Sequence, residues 1–243
     1  MKEDIEKLKV MFYRIKAMGL IKSKRRGPTG VGFTFEELIN KKEDQKSKPD
    51  FYSIEIKCIL GYSNSDITLF SCAPKRNNLP CMNYIFNTYG YYKYGNINSK
   101  KIFSRKVFCG KTIELYNYSF KLFIDQINKR IIMKSFSNDK FQEIVCYWNF
   151  EDIKNKLIEK LSTLAVVSAF PYKYSQITYY KYVKIKFYKL IDFHSFLKAL
   201  DENIICIEFY ITQSSDNLTE CKDHGVKFRI QRDKLEKLFF LIK

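Results

Sequence analysis

The sequence predicts an α/β protein, and three observations carry that prediction. Residues 3–18 and 150–161 place apolar side chains at helical spacing. Residues 49–60 and 179–190 alternate apolar with polar side chains, as half-buried strands do. Residues 164–170 (LAVVSAF) are a short, β-branched apolar run of the kind found in buried strands. The chain has 243 residues, 46% of them hydrophobic and 16% aromatic, enough for one large domain or two small lobes.

The elements follow in chain order. Ile5, Leu8, Met11, Phe12 and Ile15 form the stripe of the first helix, and Gly19 can cap it. A basic, glycine-broken loop over 22–32 leads into a helix expected over 33–40, with Thr34 as N-cap and Glu37 at capping-box spacing. Residues 41–48 read as a polar linker. A strand over 49–60 turns Ile54, Ile56 and Cys58 to one side and Ser53, Glu55 and Lys57 to the other. A second strand, 67–73, could pair with it as a hairpin-like unit. Residues 80–110 read as loops and short elements. Strand patterns return at 113–125, 129–136 and 143–148. The helix over 150–161 carries Phe150, Ile153, Leu157 and Leu161 as its stripe, with Asn149 before it as N-cap. Strands follow at 164–170, 179–190, 204–212 and 226–230, with short helices at 193–200 and at the end. There is no internal repeat.

Charge narrows the partners. The net formal charge is +17, and between residues 72 and 140 thirteen Lys and Arg face only Glu114, Asp125 and Asp139. A solvated face mixes its signs, so this imbalance points to a polyanion: nucleic acid, or an anionic membrane as the competing reading. The bland alternative is a Lys-rich soluble protein from an AT-rich genome, which the abundant Lys, Ile, Asn, Phe and Tyr also fit. The seven cysteines (58, 72, 81, 109, 146, 206 and 221) contain no CxxC pair, which argues against zinc ribbons and dithiol redox motifs. They read as reduced thiols in a cytoplasmic protein. No signal peptide and no apolar run near the ~18 residues of a membrane span is visible.

The segment that carries chemistry is 49–57, PDFYSIEIK. It puts Asp50 at the start of a strand and Glu55 and Lys57 two apart on one face. Magnesium takes oxygen ligands and keeps waters, so two carboxylates leave room for a phosphate. A lysine beside them could orient a water or offset charge on phosphorus. The pattern is PD-X(n)-(D/E)-X-K; an edge strand with a solvated Glu and Lys explains the same nine residues. Glu36 is either a first-turn helix acid or a carboxylate able to reach the strand. Gly27, Gly30 and Gly32 allow close approach of a phosphate, although no G-K-[ST] follows to make a nucleotide loop. YGYYKYG over 89–95 could stack on bases or be packing; His194 and Trp148 read as structural.

The flanking motifs, in order, are KRRGPTGVGFTFEELI, PDFYSIEIK, TLFSCAP, CYWNFEDIKNKLIEKLSTLAVVSA, YYKY and DHGVKFRI. Together they resemble the MvaI/BcnI-type restriction endonucleases, relatives of the MutH mismatch-repair nickase, over nearly the whole chain and most thinly between about 76 and 140. The resemblance implies the mixed sheet with flanking helices of PD-(D/E)XK nucleases, in two lobes around a DNA cleft. A catalytic lobe is expected from residues 1–75 with parts of 76–170, and a recognition lobe from about 171–243. Matched by position, the acidic residues fall on Glu36, Asp50 and Glu55 and the lysine on Lys57, with Asp50 and Glu55 holding Mg²⁺; Mn²⁺ or Ca²⁺ is expected to substitute for binding. DNA contacts are expected from Lys24, Arg25, Arg26, Thr29 and Gly30 beside the site, and from Glu208, Asp223, His224 and Arg229 in the major groove. Cys206 and Glu208 stand where better-known members carry an Asp and an Arg, so the resemblance carries over the cleavage chemistry and not the recognition sequence. The expected activity is that of a type II enzyme cleaving double-stranded DNA as a monomer, one strand at a time, with a cognate DNA methyltransferase in the same system. A repair nickase and an inactive DNA-binding protein are the alternatives.

Overall fold

The computed structural model describes residues 2–40, 48–76, 80–93, 99–214 and 221–242. The polar linker and the tip of the 213–223 loop lie largely outside the described residues, as do the last two residues of the YGYYKYG segment. The chain divides into two compact units: residues 1–65, 156–191 and 238–243, and residues 66–155 and 192–237. The division therefore does not fall near residue 171. The 163–190 segment returns to the first unit because it supplies the strand that β2 needs.

The first unit is built on a mixed five-stranded sheet. Its strands are β1 (Ile21–Lys22), β2 (Glu55–Leu60), β10 (Thr163–Tyr174), β11 (Ile177–Leu190) and β15 (Phe239–Ile242). Their order is β1-β11-β10-β2, with β15 also on β11. β2 lies at the sheet edge and runs parallel to β10, setting Glu55 against Leu164 and Lys57 against Val166. It does not form a hairpin with the next strand, β3 (Ile67–Ser71), which belongs to the second unit's sheet. Helices α1 (Lys2–Ala17) and α2 (Gly30–Leu38) cover one sheet face. Ile5, Leu8, Phe12, Val31 and Phe35 pack there against Ile56, Ala165, Val167, Tyr182 and Phe187. Strand alternation leaves Glu55 and Lys57 on the opposite face.

Helix α2 begins three residues before the spacing suggests. Thr29, and not Thr34, occupies its N-cap position, without a side-chain cap. Thr34 is fully buried inside the helix, and its hydroxyl oxygen accepts a 3.0 Å hydrogen bond from the Lys24 amide. A residue that would cap a helix end thus fastens the basic loop instead.

The second unit holds two sheets. The larger combines β3, β4 (Tyr91–Tyr92), β5 (Lys101–Val107), β12 (Ile205–Gln213), β13 (Cys221–Asp223) and β14 (Lys227–Ile230), in the order β3-β14-β12-β5-β4 with β13 on β12. The smaller is the antiparallel run β6 (Ile113–Leu115), β7 (Tyr118–Asp125), β8 (Arg130–Ser137) and β9 (Lys140–Asn149). Phe103, Phe209, Phe228 and Trp148 fill the core, and the Trp148 indole donates to the Cys72 carbonyl at 3.0 Å. Helix α3 (Cys81–Tyr89) lies in the stretch expected to be loops. Helix α4 (Phe150–Leu161) buries the stripe read from the sequence, and α5 (Phe193–Asp201) is capped by Asp192, which accepts from the Ser195 amide at 2.7 Å. His194 is exposed in the first turn of α5. The described chain ends in strand β15 after a 3-10 turn, Arg232–Lys237, not in a helix. All seven cysteines are free thiols. Among the described residues no helix is long and apolar enough to cross a membrane.

Candidate active site

The site is built where the sheet edge meets a tight turn. Phe51 and Ile54 exchange backbone hydrogen bonds of 2.9 and 2.8 Å, and Tyr52 takes a left-handed φ of 49° between them. Asp50 therefore stands before the turn and not on the strand, which starts at Glu55. Because β2 is an edge strand, the Ile56 amide can donate to Asp50 Oδ2, at 2.9 Å. That bond folds the aspartate back beside β2. Ile54 and Ile56 are buried in the core and fix the strand's rotation; Ser53 Oγ donates to Asp4 of α1 at 2.9 Å and ties the turn down.

Glu55 is 1% exposed. Its Oε1 accepts from Lys57 Nζ at 2.5 Å and lies 3.5 Å from Lys160 Nζ near the end of α4. Its Oε2 is buried without a hydrogen-bond partner among the described residues. Burial pushes the Glu55 carboxyl above its ordinary value; Lys57 and Lys160 oppose that, and Asp50 adds to it. Burial works against the Lys57 ammonium, but Glu55, then Asp50 and Glu36, outweigh it and hold the amine above its usual range. Glu36, half-buried on α2, is thus electrostatically part of the cluster. Its carboxylate lies back over Gly32, where a Cβ would meet Oε1 at an ordinary 3.6 Å.

A divalent cation fits this donor set. A buried carboxylate oxygen without a partner is costly, and a hard cation is the group that satisfies it. Two lysines crowd its sister oxygen, supplying positive charge beside the acids. No group of three or more His, Cys, Asp and Glu converges into a closed metal cage among the described residues. Two carboxylates with open positions is the arrangement magnesium takes when water and phosphate complete its shell.

The basic loop stands before α2 in the same unit. Gly27 has a left-handed φ of +86°, and its carbonyl accepts from Gly30. A Cβ at Gly30 would lie 2.5 Å from the Arg25 carbonyl oxygen and 2.8 Å from the Tyr180 hydroxyl, so only glycine fits. Gly32 sits in the helix with ordinary space around it. The Arg25 guanidinium lies 3.8 Å over the Phe33 ring, while Lys24, Arg26 and Thr29 are exposed.

The remaining expected contacts lie in the second unit. Arg229 Nη1 donates to Glu208 at 2.7 Å, and Nη2 donates to the Asp66 carbonyl at 2.7 Å. The arginine fork is therefore engaged within the protein. His224 lies against Tyr210 with rings 4.7 Å apart, and its Nε2 is 3.0 Å from the Thr212 hydroxyl. Asp223 accepts from the Gly225 amide at 2.8 Å, closing the turn after His224. Sequence reasoning missed Lys160, which lies on the polar side of α4 more than a hundred residues after Lys57; nothing in its local pattern sets it apart.

The chain matches the family model described as the MvaI/BcnI restriction endonuclease family over residues 9–239. It is similar to a structure described as restriction endonuclease MvaI in complex with its cognate DNA substrate, with a TM-score of 0.87 and 30% identity over 100% of this chain and 98% of that one. Against MvaI in the absence of DNA the TM-score is 0.61, at 28% identity and the same coverage. No curated protein matches the chain in a sequence search. With the motif order, the mixed sheet and nearly the whole length in agreement, this chain is a member of the MvaI/BcnI restriction endonuclease family.

Proposed function

We propose that the protein is a type II restriction endonuclease that hydrolyses phosphodiester bonds of double-stranded DNA with Mg²⁺, at the cluster of Glu36, Asp50, Glu55 and Lys57. The observation that carries this is the unpartnered buried oxygen of Glu55 beside Asp50 and a protonated lysine. Asp50 and Glu55 would hold the cation, and the Ile56 amide holds the Asp50 carboxylate back beside β2. A metal bound there would supply Lewis-acid polarisation of a phosphoryl oxygen and a more acidic water. Lys57 keeps its proton and offsets charge gathering on the phosphorus. Glu36 helps keep Lys57 charged. Hydrolysis leaves 5′-phosphate and 3′-hydroxyl ends.

The basic loop, with Lys24, Arg25, Arg26, Thr29 and Gly30, holds the DNA backbone beside the site. Glu208, Asp223, His224 and Arg229 face bases. Arg229 and Glu208 are bound to each other through Oε2, and we assign the other carboxylate oxygen, Oε1, the role of accepting from a base amino group such as cytosine N4. A cognate methyltransferase then protects the host sequence.

The test is plasmid digestion with the purified chain, with and without Mg²⁺. Fixed-sequence cleavage that needs the metal is expected. Asp50→Ala, Glu55→Gln and Lys57→Ala should each lower the rate by at least about 10²–10³, with DNA binding retained. An active Asp50→Ala protein removes Asp50 from the site. Weak nicking that needs partner proteins points to the repair nickase, and binding without cleavage to an inactive relative.

A further inference from the structure

The sheet face that carries Glu55 and Lys57 continues across β10 onto β11. Lys57 is the register partner of Val166, and Val166 of Lys186. Two strand spacings put Lys186 about 10 Å from Lys57 along the sheet. Lys184, opposite Ser168, lies on the same face. Lys181 should lie on the other face, three positions away, but the β10–β11 register slips there. Ser168 pairs with Lys184 and Ala169 with Tyr182, so Val183 is the extra residue of a β-bulge. The core side confirms the phase: Tyr182 and Phe187 are buried, and Lys181, Lys184 and Lys186 are all exposed. The bulge therefore gathers three lysines onto the face that bears Lys57.

Among the described residues, 181–186 of β11 have β10 on one side and an open edge on the other, because β1 pairs only with Tyr179 and Tyr180 and β15 only with Phe187–Leu190. Lysines on such an edge guard against strand addition, but that task needs no particular face, whereas the bulge sets all three on the face of Lys57. Ordinary surface solvation does not explain the row. Residues 163–190 contain five lysines and no acid, and none of the three lysines has a salt bridge to an acid among the described residues. Like charges sharing one face cost stability unless something neutralises them.

We propose that Lys181, Lys184 and Lys186 form a phosphate track, seating the backbone of duplex DNA where it runs on from the bond held at Lys57. The proposal rests on the nuclease reading above and adds a binding surface to it. The lysines act on the polyanion as charges and read no sequence.

The experiment measures binding of a short labelled duplex by the full chain in Ca²⁺, across a range of KCl concentrations. Lys181, Lys184 and Lys186 are replaced together by Ala, and in a second protein by Arg. Each phosphate contact contributes about 0.9 to the slope of log K against log salt. The Ala protein should show a slope shallower by up to about 2.7. Its affinity should fall by the same factor on the cleaved sequence and on an unrelated duplex, and the Arg protein should keep the wild-type slope. An Ala protein with the wild-type slope overturns the track, as does a loss confined to one sequence. A wild-type chain without salt-dependent DNA binding overturns the nuclease reading itself, and the track with it.

Discussion

Lys160 shows how a distant side chain sets the state of a local motif. Glu55 must be ionised to hold a cation, yet burial favours its proton, and Asp50 adds to that preference. Lys57 and Lys160 pull in the other direction. Replacing Lys160 by Met keeps the stem and removes the charge. The Glu55 carboxyl then rises further, so on acidification it takes up a proton sooner. The acid limb of kcat/KM, which reports the free enzyme, should move to higher pH in Lys160→Met. A pH–rate profile of plasmid nicking checks this, and an unmoved or down-shifted limb counts against it. The four residues proposed for catalysis were legible because the acids and Lys57 lie within a short stretch and in family order. Lys160 was not, because only the docking of α4 brings it near.

Among the elements, α3 was the least legible. Its nine residues are rich in aromatics, Asn and Thr, which are weak helix formers, and no side chain caps its start. Tertiary contacts hold it instead. Tyr84 and Tyr89 both donate to the Glu143 carboxylate of β9, and Arg76 Nη2 donates to it at 2.8 Å. Burial alone would raise the Glu143 carboxyl, but these hydrogen bonds outweigh it and hold it below its ordinary value. A depressed carboxyl stabilises the fold at pH above its ordinary 4.5, and that contribution is lost as pH falls through the depressed value. Glu143→Gln should therefore cost about 1–3 kcal/mol at pH 7 and less in acid. Urea unfolding at pH 7 and pH 3 measures both, and an equal cost at the two would reject the argument. The helices with clean stripes, α1 and α4, were legible from spacing alone. The expected hairpin of β2 with β3 was not realised, because adjacency in sequence says nothing of a parallel partner that arrives much later.

At the scale of the molecule, we propose that the protein acts as a monomer, whose one such cluster among the described residues makes one cut per binding event. A monomer then nicks one strand before the other, and plasmid digestion should pass through an open-circle form before linear product appears. Concerted double-strand cleavage with second-order dependence on protein would exclude the monomer. The charge of +17 was legible as a nucleic-acid footprint, but its arrangement was not. The lysine row on β11 depends on a bulge that no periodicity reveals. The parallel pairing of β2 with β10 has a further consequence for biosynthesis. Glu55 and Lys57 have no neighbouring strand until residues 164 and 166 have left the ribosome. A nascent chain interrupted anywhere before that point carries the PD-(D/E)XK residues without the strand that arrays them, so a fragment ending before residue 163 is expected to cleave no DNA.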